Sequence, residues 1–214
     1  MWHVLPNPQG DQARRLDDVK SYADRSPAGL LLAAGAGRRM GTPKALVDDW
    51  LVRGIDILAV AGCSPVIVVL GAAHQQARAL LESRHVTVVV ATGWSEGLSA
   101  SLRAGILALP ASAPAAVVTL VDLPDVTTSV VRRLLDKGAG PATLSRATYD
   151  SRPGHPVVLG RTHWPGILAA AHGDLGARAY FDQHAPALVE CADLASGQDV
   201  DWPAEAISGE VQRA

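Results

Sequence analysis

The sequence predicts a three-layer α/β protein, a mainly parallel sheet with helices on both faces. Three observations carry this. Short β-rich runs alternate with windows of helical periodicity from residue 29 onward, the pattern of successive right-handed βαβ units. Nearly half of the 214 residues are hydrophobic but only 4% are aromatic, with alanine and valine abundant, as parallel strands buried on both faces require. The densest group of glycines and cations follows directly on the first apolar run, at the carboxyl end of a strand, where open sheets of this kind bind ligands.

The elements follow in order. Residues 1–27 mix prolines and charges and read as a flexible N-terminal extension with a short helix near 12–24; residues 28–214 read as one domain. Strands are expected where apolar, β-branched runs are bounded by turn residues: 29–34, 65–70, 86–90, 115–121, 142–145, 156–159 and 188–191. Helices are expected in the amphipathic windows between them: 50–61, 73–83, 98–109, 127–137, 161–171 and 176–184. Asp125 is the expected N-cap ahead of the fourth helix.

Bulk properties exclude several classes. A net charge of −2 provides no broad basic field, so nucleic acid is not an expected partner. No apolar run reaches the roughly 18 residues that span a membrane, and the N-terminus carries no secretory pattern, so a cytoplasmic location is expected. Cys63 and Cys191 stand in no metal-binding pattern and read as buried thiols.

The chemistry concentrates in "LLLAAGAGRRMGTPKAL", residues 30–46. A P-loop needs Gly-Lys at a set spacing after its first glycine, which neither Gly35 nor Gly37 has. A dinucleotide fingerprint needs its third glycine where Met40 stands, a helix where Pro43 disfavours one, and an acid after the second strand, where "PVIVVLGAAHQQ" has none. The remaining reading is a loop that wraps a nucleotide triphosphate. Gly35 and Gly37 let backbone N–H groups approach phosphate oxygens. Arg39 can fork onto the β and γ phosphates, and Lys44, held in an extended segment by Pro43, supplies a compact charge near the α-phosphate.

This stretch resembles the L-A-A-G-x-G-x-R-M-G-x-P-K-x-L signature of the molybdenum-cofactor nucleotidyltransferases. The resemblance covers residues 29–203 and implies the Rossmann-like, nucleotide-diphospho-sugar-transferase-like form of the fold. It adds Leu32, Ala33 and Ala34 to the nucleotide-binding set and implies Mg²⁺ as cofactor. "AAVVTLVDLPD" ends a strand in Asp122, matching the family's metal-binding aspartate with Val121 in place of a glycine; capping the following turn is the alternative role. "GQDVDWPAE" is similar to the late acidic segment of the family, with Asp201 as second metal ligand and Asp199 as the alternative, although Trp202 and Glu205 depart from the pattern. "GWSEGLSASLRAGI" resembles a segment of the cytidylyltransferase branch and places Ser99, Ser101 and Arg103 near the nucleotide, with Trp94 as a wall or a packing residue. "GHPVVLG" and "HGDLGARAYF" match segments that face the second substrate, which gives His155, Asp174 and Arg178 as acceptor-binding residues.

The resemblance therefore implies transfer of a nucleotidyl group, CMP from CTP, to a phosphorylated pterin such as molybdopterin, with pyrophosphate released and Lys44, Arg39 and Asp122 as catalytic residues. A molybdoenzyme is the implied recipient of the product, and neither nucleic acid nor membrane is a partner. One departure stands out: "KALVDDWLVRGIDIL" runs almost directly into a helix where relatives carry a longer segment. Two alternatives remain open on the same scaffold. One is the NAD(P)H-dependent reduction of a quinone-like pigment (nicotine blue), associated with similar sequences; the other is a non-catalytic nucleotide or cofactor binder.

Overall fold

The computed structural model describes residues 26–201. The expected extension lies outside the described residues apart from Ser26 and Pro27, as do its short helix, Trp202 and Glu205.

Among the described residues, seven strands form one sheet: β1 (Ala28–Ala33), β2 (Val66–Leu70), β3 (Thr87–Val90), β4 (Ala115–Leu120), β5 (Leu144–Tyr149), β6 (Arg152–Gly160) and β7 (Ala187–Glu190). Their spatial order is β3-β2-β1-β4-β6-β5-β7. All pairings are parallel except those of β6, which runs antiparallel to both β4 and β5. From β1 the chain moves outward to β2 and β3, then returns to lay β4 on the other side of β1. The strand order thus reverses between β1 and β4, and a crevice opens there beyond their carboxyl ends.

Among the described residues, six α-helices complete the three layers: α1 (Trp50–Val60), α2 (His74–Ala79), α3 (Leu98–Leu107), α4 (Thr128–Asp136), α5 (Trp164–Ala170) and α6 (Arg178–Phe181). The two-residue period of a strand sorts the core. Leu31 and Ala33 cluster with Leu51 and Leu58 of α1 and with Val130 and Leu134 of α4. Leu30 and Leu32 cluster with Leu102 and Ile106 of α3 and Ile167 of α5 on the opposite face. Burying each such side chain contributes about 1.5–3 kcal/mol, and β1, buried along its whole length, anchors both layers.

The strands and helices depart from expectation where local turns were hidden. The fifth strand starts two residues late and runs on to Tyr149, and the sixth begins at Arg152. The two are joined by a tight hairpin in which Asp150 and Ser151 both take positive φ, 51° and 66°. Such turns are usually flagged by Asn-Gly or Asp-Gly; Asp-Ser gave no such signal. Thr127, not Asp125, precedes the first turn of α4. Asp125 instead accepts the Ser196 backbone N–H at 2.5 Å and fastens the C-terminal segment to this end of the sheet. Windows 73–83 and 176–184 shrink to α2 and α6; Ala73 adopts the left-handed conformation and Gly176 a positive φ, which keep both residues out of their helices.

Glu190 closes the hairpin. Its carboxylate accepts the N–H groups of Asp150 (3.1 Å), Ser151 (3.2 Å) and Ala192 (3.0 Å) and the Thr148 hydroxyl (2.9 Å). These bonds, that from Ala192 foremost, hold its carboxyl at about 2.

Among the described residues, no helix is long and apolar enough to cross a membrane. Cys63 and Cys191 are buried free thiols.

The depressed Glu190 carboxyl makes a pH prediction. Its contribution to stability is complete above the ordinary value of 4.5 and is lost as pH falls through about 2. Urea melts of wild type and Glu190→Gln across this range are expected to differ most above 4.5 and to converge toward 2; a constant difference would contradict the role.

Candidate active site

The loop after β1 is built around Gly37. Its carbonyl accepts the N–H groups of Met40 (2.9 Å) and Gly41 (2.8 Å), while Gly35 O accepts from Lys44 N at 3.2 Å. Gly37 has φ +56°, and a Cβ there would lie 1.9 Å from Thr42 O, so no other residue fits. Gly35 differs: an added Cβ would meet nothing nearer than Lys44 Cδ at 3.8 Å. Its bare backbone faces a hollow of about 310 Å³.

Beside the loop, β4 ends in Asp122. Register places Leu32 of β1 opposite Leu120 of β4, so the β1 loop and Asp122 emerge side by side. Val200 N donates to Asp122 O at 3.0 Å, which lays the C-terminal segment across the same strand end. One carboxylate oxygen from each of Asp122, Asp199 and Asp201 lies within 4.8 Å of the others. Lys44 Nζ, half-buried, donates to Asp122 Oδ2 and, at 2.7 Å, to Asp201 Oδ1. Burial alone would lower the lysine, but its hydrogen bonds to Asp122 and Asp201 and their charges outweigh this and raise it above its ordinary value. The Lys44 bond, followed by the Lys44 and Arg39 charges, holds the Asp201 carboxyl below the usual range. Around an octahedral Mg²⁺ adjacent oxygens stand about 3 Å apart and opposite ones about 4.2 Å, so three carboxylate oxygens within 4.8 Å of one another can close on a divalent cation by modest side-chain shifts.

The expected nucleotide residues divide. Leu32, Ala34, Gly35, Lys44, Ser101 and Asp122 line the first hollow. Ala33 instead points into the core beside α1. Arg39 turns outward to pair with Asp201 at 2.5 Å, its side chain 63% exposed, and the neighbouring Arg38 lines the hollow. Adjacent arginines in a loop offer no periodicity to tell them apart. Ser99 is also elsewhere: its buried hydroxyl accepts the Gly176 N–H at 3.0 Å. Arg103 donates to Leu168 O at 2.6 Å and ties α3 to α5.

A second hollow of about 500 Å³ adjoins the first, and His155, Asp174 and Arg178 all line it. The antiparallel run of β6 explains His155: Val157 pairs with Val118, so the start of β6 lies near the end of β4. Leu32, Leu98 and Asp174 line both hollows. Asp174 Oδ1 accepts Leu98 N at 3.3 Å, close against Gly97, whose φ of +116° only glycine adopts readily. Burial, then the charge of Arg146, pushes the His155 imidazole down to about 4. Arg146 also lines this hollow; no sequence pattern marks it, because it lies within a strand and outside every motif.

A glycine loop facing strand-end carboxylates across the switch point of a three-layer sheet defines a nucleotide-binding protein of the transferase type. Residues 29–188 match the MobA-like NTP transferase domain, and the chain belongs to that family of nucleotidyltransferases. It is 35% identical over 187 residues to nicotine blue oxidoreductase of Paenarthrobacter nicotinovorans, covering 81% of this chain and 91% of that protein. The structure of Rv0371c from Mycobacterium tuberculosis H37Rv is similar at 28% identity and TM-score 0.70, covering 89% of this chain and 100% of the other; that protein has also been crystallised with manganese. A nucleotidyl transferase from Methanothermobacter thermautotroptrophicus shares the fold at TM-score 0.73 and 20% identity, over 87% of this chain and 97% of its own.

The two loop glycines should respond differently to alanine. Gly37→Ala is expected to lower the melting temperature, with a cost of about 1–3 kcal/mol, while Gly35→Ala leaves it unchanged. Equal melting temperatures for both variants would contradict the loop geometry.

Proposed function

We propose that the protein transfers a nucleotidyl group, CMP from CTP, to a phosphorylated acceptor of the pterin type. The observation that carries this is the meeting of Lys44, Asp122 and Asp201 at the mouth of a hollow backed by the bare glycine loop. An acceptor phosphate oxygen forms a bond to the α-phosphorus, the bond from that phosphorus to the bridging oxygen breaks, and pyrophosphate leaves with the electron pair. Gly35 presents backbone to the triphosphate, and Arg38 and Lys44 supply positive charge to it. Asp122 and Asp201, joined by Asp199, would hold Mg²⁺, which when bound neutralises triphosphate charge. The rate then comes from positioning and preorganised charge, without a covalent intermediate. The second hollow, sharing Leu32, Leu98 and Asp174 with the first, receives the acceptor.

A second reading comes from the relative named nicotine blue oxidoreductase: reduction of a quinone-like pigment by NAD(P)H. The stretch after β2, Gly71 to Gln76, contains no carboxylate, so the ribose contact of a dinucleotide fingerprint is missing there.

The test incubates the protein with each NTP, Mg²⁺ and a phosphorylated pterin and follows pyrophosphate. Release that is strongest with CTP and falls roughly a hundredfold in Lys44→Ala is expected. NAD(P)H oxidation with a quinone and no pyrophosphate from any NTP would overturn the transfer reading. A second expectation concerns the lysine itself. Because Lys44 neutralises Asp122 and Asp201, Lys44→Met should bind Mn²⁺ several-fold more tightly in the absence of nucleotide, measured by EPR titration, and Asp122→Asn should bind it more weakly. Unchanged affinity in Lys44→Met would show that the ammonium and the ion do not share these carboxylates.

A further inference from the structure

Two guanidinium groups converge in the second hollow. Arg146, half-buried on β5, donates through Nε to Gly154 O at 3.0 Å and stands over the Phe181 ring, 5.6 Å from its centre. Arg178, exposed at the start of α6, lines the same space. Burial first, then the charge of Arg178, lowers Arg146 from its ordinary value, the mark of two like charges within range of each other. Among the described residues, neither guanidinium has a carboxylate within ion-pairing distance, whereas Arg39, Arg84 and Arg133 each do. The hollow's own acids, Asp174 and Asp182, are both exposed, and Asp174 is engaged by the Leu98 N–H. His155, depressed to about 4, is neutral near pH 7 and adds no third positive charge to the pair. The inner wall is apolar, with Leu102, Val118 and Val157. Desolvating one cation beside another without an acid is costly, and a bound dianion offsets that cost.

We infer that Arg146 and Arg178 form an anion receptor that takes the phosphate of a small phosphomonoester whose flat ring packs along β4 and β6. This deepens the transfer reading and rests on it for the reaction the bound phosphate enters; the binding itself stands on the hollow alone. The receptor selects acceptors by charge: an uncharged ring compound of the same size leaves both guanidiniums uncompensated. It also makes Arg146, far from any motif, a specificity-determining residue.

The test titrates phenyl phosphate, with benzyl alcohol as the neutral counterpart, into the full chain by calorimetry. Arg178→Gln is expected to keep the fold because its side chain is at the surface, and Arg146→Lys keeps the charge but loses the fork; thermal melts check both. Each is expected to weaken phenyl phosphate by about tenfold or more, Arg84→Gln, which lines neither hollow, leaves it unchanged, and benzyl alcohol does not bind measurably. Affinity unchanged in both Arg146→Lys and Arg178→Gln, or lost only in Arg84→Gln, would overturn the receptor. Arginine-dependent binding in a protein that releases pyrophosphate from no NTP supports the receptor and removes the transfer reading. Pyrophosphate release insensitive to both arginines keeps the transfer reading and overturns the receptor.

Discussion

The functional end of this protein depends on one electrostatic constraint: carboxylates from two distant parts of the chain are held against a single half-buried ammonium. Asp122 and Asp201 are 79 residues apart in sequence, and Lys44 bridges them. Without a cation between them, two carboxylates at that distance would repel and raise each other's pKa. The lysine removes that penalty and holds both acids together beside the hollow that it lines with Asp122.

Backbone topology makes the constraint possible. Because β1 and β4 are parallel neighbours at the point where strand order reverses, the glycine loop and Asp122 leave the sheet together. Two further tethers complete the site. Val200 N on Asp122 O and Ser196 N on Asp125 Oδ2 fix the segment that carries Asp199 and Asp201. The antiparallel β6 delivers His155 to the same end, so the two hollows share a wall instead of lying at opposite edges of the sheet.

Legibility in the sequence followed the range of the interactions involved. The sheet, its parallel core and the helices on both faces were readable because burial on two faces leaves long apolar runs such as residues 66–70. The glycine loop and Asp122 were readable because a close backbone approach and a strand-end acid each restrict residue type locally. Asp199 and Asp201 could not be separated from sequence, and the structure shows why: both reach Asp122. The roles of Arg38 and Arg39, the engagement of Ser99 by Gly176 and the placement of Arg146 were not readable. Each is decided by contacts across long sequence separations, and none leaves a local pattern. The Asp150–Ser151 hairpin was missed for the opposite reason, a local turn whose conformation is imposed from outside by Glu190.

The most direct measurement is anomalous diffraction from crystals grown with Mn²⁺ and a non-hydrolysable CTP analogue. A manganese peak bounded by the carboxylates of Asp122 and Asp201, with the Lys44 ammonium moved onto a phosphate oxygen of the analogue, is the result expected. A peak elsewhere, or Lys44 still bridging the two acids with nucleotide bound, would contradict the central role given to this cluster.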